Sequence, residues 1–165
     1  SECLRYMDEE WGNQNLMQAY GPYVHEIFKH KAIMNVGVLG GTSEYIKDLV
    51  FNIFINGINR PIPIVDQAVF NVLINTQPYA DVVYKCEMSS GWACQAGTVA
   101  DPSKIDKFRS NLLEDEPKWI DGIVKTSTDK TFYIVHQYDR VPLWKKTIAE
   151  RYGQKQEQNM FVYRV

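Results

Sequence analysis

No stretch of these 165 residues is long and apolar enough to cross a bilayer as a helix. The longest apolar run, Leu49 to Ile55, is interrupted by Asn52 and falls well short of the ~18 residues a span requires. Cysteine is scarce. Cys3, Cys86 and Cys94 make an odd set without regular spacing, which excludes a disulfide framework as the organising principle. With no histidine near Cys86 or Cys94, a zinc ligand set there is excluded as well; a Cys86–Cys94 loop stays open if the chain is secreted. Positive charge is not in excess: 18 Lys and Arg stand against 20 Asp and Glu, for a net charge of −2. A partner held by neutralising nucleic-acid phosphates needs a basic surface, so nucleic acid is not expected. There is no internal repeat, low-complexity segment or Gly/Ser-rich linker, and residues 1–165 read as a single domain.

Apolar residues are plentiful, at 45% against 23% charged, enough for a packed core. Ten Tyr and four Trp are many for this length. Such rings fill cores and also stack on sugars and bases.

Periodicity divides the chain into mixed elements. Asp8–Glu10 and Trp11–Asn13 form a polar opening segment. Pro22 suits a first helical turn, and Tyr23 to His30 has helical spacing. Ile33 to Leu39 reads as a buried strand that turns at Gly40 and Gly41. A helix follows, capped by Thr42 or Ser43, with Glu44 in its first turn, and ends near Asn56 ahead of Gly57 and Pro61. A second helix runs from about Val65 to Asn75 with Val69, Val72 and Leu73 on its apolar face. Ala80 to Cys86 alternates and predicts a strand. Gly91 to Pro102 reads as a loop, Lys104 to Leu113 as an amphipathic helix, Phe132 to Val135 as a strand, Leu143 to Tyr152 as a helix, and Met160 to Val165 as an edge strand or tail. Strands intermixed with helices predict an α/β or α+β fold, a small mixed sheet flanked by helices.

Three constellations could carry chemistry. Asn35-Val-Gly-Val-Leu-Gly-Gly-Thr42 leads into a helix start, which attracts anions. As a dinucleotide fingerprint it fails, because Leu39 and Thr42 stand where glycines are needed, and it lacks a P-loop lysine. Asp66 and Gln67 open a helix, where Asp66 serves as an N-cap or the pair grips hydroxyls in a cleft. His136-Gln-Tyr-Asp-Arg140 closes an apolar strand with hydrogen-bonding groups; imidazole is a good metal ligand and the Arg140 fork a good phosphate partner. Glu114-Asp-Glu116 follows an amphipathic helix and reads as a solvated end. Ser89-Ser-Gly-Trp-Ala-Cys94 lacks a nucleophile elbow and reads as a loop that lines a cleft with Trp92.

In this order, Asn35-Val-Gly37, then Asp66-Gln67, then His136 with Arg140, Pro142 and Trp144, the chain resembles the GT-A-fold nucleotide-sugar glycosyltransferases. The resemblance spans about Trp11 to Tyr152 and is most specific at Val-His-Gln-Tyr-Asp-Arg. It implies the C-terminal portion of a catalytic domain that moves a sugar from a nucleotide-sugar donor to a carbohydrate or glycoconjugate acceptor. It also implies a divalent cation, Mn²⁺ or Mg²⁺, on the donor diphosphate. It casts His136 as a metal ligand and Asp66 and Gln67 as the catalytic pair at the transferred sugar or acceptor. Asn35, Gly37, Gly40, Gly41, Arg140 and Trp144 are cast as donor contacts. The Asp-x-Asp motif that supplies the family's other metal ligands does not occur here. The expectation is therefore that an N-terminal half of the domain lies outside this chain, which alone would be inactive. The alternative is a non-catalytic carbohydrate- or partner-binding domain that uses the aromatics around Trp92 and Trp119.

Overall fold

The computed structural model describes Met7, residues 10–96 and residues 117–156. In chain order the elements are α1 (Glu10–Phe28), α2 (Ser43–Ile58), α3 (Asp66–Leu73), β1 (Ala93–Gln95), β2 (Lys118–Ile120), β3 (Ile123–Lys125), β4 (Ile134–His136) and α4 (Pro142–Gln156). Short 3-10 turns stand at Tyr79–Asp81, Met88–Ser90 and Tyr138–Arg140. Helices and small sheets mix, as the α/β expectation requires. Instead of one mixed sheet there are, among the described residues, two two-stranded sheets. β1 pairs parallel with β4, Gln95 opposite His136. β2 pairs antiparallel with β3, Trp119 opposite Val124. No described helix is long and apolar enough to cross a membrane.

α3 is the hub of the helical half. Four of its eight residues, Ala68, Val69, Phe70 and Asn71, are buried, and its sides serve different clusters. Val69 and Ala68 pack with Ala19 of α1 and with Val65, while Phe70 packs with Leu49 of α2, Ile74 and Tyr79. Burying an aliphatic or aromatic side chain of this size contributes ~1.5–3 kcal/mol each, so a short helix holds both longer ones. The C-terminal half has its own core of Met88, Cys94, Ala96, Val124, Phe132 and Trp144, with Trp119 against it.

α2 and α3 fall where periodicity predicts them, and so does the start of α4, although Gly153 does not end α4. In α1, Gly21 (φ 77°, ψ 176°) breaks the helical path, and Pro22 opens a second segment whose first turn needs no proline N–H. The stretch from Glu10 through Asn13, expected as part of a polar entry, is already helical, and the turns before Gly21 bury Gly12, Leu16 and Ala19, with Leu16 and Ala19 in the core clusters. Along α2, Phe51, Phe54, Ile55 and Ile58 form a solvent-exposed stripe.

Three strand and loop expectations are corrected. Ile33 to Leu39 is not a strand. Its pairing groups are taken by a side chain: Met34 N donates to Asn71 Oδ1 (2.8 Å) and Met34 O accepts from Asn71 Nδ2 (2.8 Å). Ala80 to Cys86 is not a strand either, because its first amides bond back onto the preceding turn, Ala80 N to Thr76 O and Val82 and Val83 N to Tyr79 O. Ala93–Gln95, read as loop, is β1; three residues are too few to display a period of two. Asp66 is the first residue of α3 rather than its N-cap, which is Val65. The expected helix at 104–113, the acidic run at 114–116 and the segment 160–165 lie outside the described residues.

Asn71 is fully buried. Replacing it with Ala strands the Met34 N–H and C=O without partners, at ~1–3 kcal/mol per buried group. Asn71→Ala should therefore lose roughly 3 kcal/mol, read as a lower urea midpoint at unchanged m; an unshifted midpoint would remove Asn71 from its structural role.

Candidate functional site

A cleft of about 650 Å³ opens between the 34–42 segment, α2, the 79–86 segment and the start of β1. Its floor is apolar, with Leu49, Phe70 and Ile74. Asn35, Gly40 and Gly41 form one wall and Gln95 another. Among the described residues no carboxylate lines it, and Lys85 is the charged one. Lys85 Nζ donates to Asn75 Oδ1 (2.5 Å); partial burial, then the nearby Lys31, hold its ammonium below the usual lysine value.

Beside this cleft the fold brings together residues that lie about a hundred positions apart. Asn35 Oδ1 accepts from Gly37 N (2.7 Å), an Asx-type turn. Gly37 lies flat against His136: a β-carbon built there would fall inside the imidazole, 2.5 Å from Cε1 and 2.8 Å from Asn35 Oδ1. A side chain there would have to push the His136 ring aside, so glycine is what lets the imidazole close onto this backbone. His136 is half-buried and stands at the end of β4 opposite Gln95, whose 6%-exposed side chain faces the cleft. Asn35, Gly37, His136 and Gln95 thus make one corner. Immediately after His136 the backbone of Gln137 is left-handed (φ 57°, ψ 36°), a conformation uncommon for a residue with a β-carbon and found disproportionately at functional sites.

The other expected site residues are placed elsewhere. Asp66 is exposed and Gln67 half-buried at the start of α3; α3 reaches the cleft through Phe70 and Ile74 instead. Arg140 is exposed in the 3-10 turn that follows β4. Trp144 is a core residue, 4% exposed and packed on Trp119 with ring centroids 5.7 Å apart. An indole in that position offers a donor no face, which corrects its expected role. Among the described residues no three His, Cys, Asp or Glu side chains converge as a metal site would require, so the described residues do not by themselves assemble a cation site around His136. Cys86 and Cys94 do not close a disulfide loop with each other, and burial pushes the Cys94 thiol up to about 12.

Two site residues escaped the sequence reading. Gln95 sat in a segment read as loop. Asn71 lies one helical turn after Gln67 and hydrogen-bonds its carbonyl (2.8 Å); the i, i+4 spacing of two amides on one face was the available signal. The cleft wall is further tied by Tyr79, whose hydroxyl donates to Asp48 Oδ2 (2.5 Å) and accepts from Asn52 Nδ2 (2.8 Å).

Compared with known proteins, the chain matches no family model and has no significant match to a curated protein or a solved structure.

Gly37→Ala should displace the His136 ring and lose about 1–3 kcal/mol through overpacking. The imidazole resonances of His136 report it directly, and unchanged shifts would refute the contact. Burial, then the bonded Asp48 carboxylate, push the Tyr79 phenol up to about 12. The folded state keeps this proton while the unfolded chain releases it near the ordinary value of 10. The stabilisation is therefore complete below pH 10 and is lost as pH rises towards 12. Alkaline denaturation should show the wild type losing stability relative to Tyr79→Phe across that window; parallel curves would refute it.

Proposed function

We propose that this chain is the C-terminal part of a GT-A-fold glycosyltransferase, which moves a sugar from a nucleotide-sugar donor to a carbohydrate or glycoconjugate acceptor. The observation that supports the reading is the contact of Gly37 with His136 beside Asn35. Two motifs chosen for their order in the sequence meet in space beside the cleft, and the backbone turns sharply just beyond His136.

On this reading the chain's residues bind and orient. Asn35 and the bare backbone at Gly40 and Gly41 line the space for the transferred sugar, and glycines there leave room for a ring to approach the chain. Gln95, buried in the facing wall, offers an amide with both donor and acceptor character. Lys85 brings positive charge to the anionic donor, and Arg140 reaches the diphosphate only from the rim. A bound Mn²⁺ or Mg²⁺ would offset charge on the departing diphosphate, with His136 as this chain's single ligand and the carboxylates supplied from outside the described residues. Asp66 and Gln67 stand outside the lining of the cleft, and Trp144 supports the fold.

The aromatic rim of the cleft also favours a second reading, a non-catalytic carbohydrate-binding domain. Incubating the intact protein with a panel of nucleotide sugars and Mn²⁺ separates the two. Donor hydrolysis or transfer is expected, with His136→Ala reduced by about 100-fold. Hydrolysis of no donor sugar would overturn the enzyme reading, and full activity in His136→Ala would overturn the role of His136.

A further inference from the structure

The rim of the cleft carries aromatic side chains that no core uses. Trp92 lines the cleft and is 45% exposed, and Tyr133, 83% exposed, stands beside it. Their ring centroids lie 6.0 Å apart with planes tilted by 48°, so the pair forms an open corner rather than a closed stack. Leaving two large rings in water forgoes the burial that makes aromatics useful in a core, and the backbone holds both in place. Tyr133 N donates to Gly91 O and Ile134 N to Trp92 O (3.2 Å each). Trp92 N donates to Ser90 Oγ (3.2 Å), which in turn donates to Glu87 O (2.6 Å). Gly91 takes φ 78° with Thr131 O only 3.3 Å from where a β-carbon would stand. A side chain there would crowd the Thr131 carbonyl and Lys130.

We infer that Trp92 and Tyr133 form a stacking platform for a neutral pyranose ring of the acceptor, an inference that rests on the glycosyltransferase reading for the word acceptor and on geometry for the rest. The apolar face of a sugar ring suits a flat indole, and the hydroxyl edge then meets the polar groups of the cleft. Among the described residues no carboxylate lines the cleft to select a cationic ligand. Position argues for acceptor over donor. Trp92 and Gln95 line the same cleft, and Gln95 is paired with His136. A ring on Trp92 therefore shares the cleft with the His136 corner and leaves the space at that corner for the transferred sugar.

The test uses the intact protein and saturation-transfer NMR with the methyl glycosides of glucose, galactose, mannose and N-acetylglucosamine, without donor or metal. Binding of at least one glycoside is expected. Trp92→Ala should weaken it by about tenfold, the effect of one ring contact of ~1.4 kcal/mol, and Tyr133→Ala by less. Trp92→Phe, which keeps a ring, should restore most of the binding, and Tyr23→Ala, exposed on α1, should leave it unchanged. Binding of none of the four, or equal binding by Trp92→Ala, overturns the platform. Donor hydrolysis without acceptor, run on the same variants, distinguishes this failure from failure of the enzyme reading. Hydrolysis that persists in Trp92→Ala while glycoside binding is lost supports the platform as an acceptor site. Trp92-dependent binding in a protein that hydrolyses no donor retains the platform and overturns its assignment to an acceptor.

Discussion

Two hydrogen bonds from one side chain set the geometry on which the cleft depends. Asn71 both accepts from Met34 N and donates to Met34 O, as a neighbouring strand would. A sheet ladder needs a run of residues and an edge; an asparagine amide does the same for a single residue and leaves the chain free on either side. Asn35 can then turn at once toward Gly37, and Gly40 and Gly41 can line the cleft instead of continuing a strand. Because Asn71 sits on α3, whose Val69 and Phe70 anchor α1 and α2 respectively, the position of the Asn35 turn is locked to the helical core.

The second constraint is steric. His136 comes from the C-terminal half, at the end of a strand paired with β1, and its ring lies in the space that a β-carbon on Gly37 would take. The contact joins the two halves of the molecule at the point where the proposed chemistry would occur. Cys94, next to Gln95 on β1, is fully buried in the C-terminal core. That core therefore fixes the strand whose next residue faces the cleft. Trp144 belongs to the same support: its ring packs on Trp119 and steadies the start of α4, immediately after the turn that carries Arg140.

Legibility in the sequence followed the length and regularity of the elements. α2, with its acidic first turn, and α3, with apolar residues at helical spacing, were readable because each repeats its signal over several turns. The three-residue strands were not, since a period of two needs more residues than that. The apparent strands at 33–39 and 80–86 had the right composition, but their hydrogen bonds go to a side chain and to a preceding turn. Composition records which side chains suit a pleated surface and says nothing of whether a partner strand exists. Within the site, Asn35, Gly37 and His136 were readable as motifs. Trp144 was misread, because an indole beside a charged loop has the same sequence appearance whether it faces a ligand or a core.

The sequence by itself determined α2, α3 and the start of α4, the apolar supply for a core, the lack of excess positive charge and the residue types able to bind a sugar phosphate. These follow from local periodicity and chemistry, which the chain carries wherever it folds. Only the tertiary structure decided that Gly37 packs against His136, that Gln95 and Trp92 share a cleft with Asn35, and that Asp66 and Gln67 do not line it. Those facts depend on contacts between segments distant along the chain, and such contacts are set by how α3 and the β1–β4 pair pack rather than by any residue's own preference.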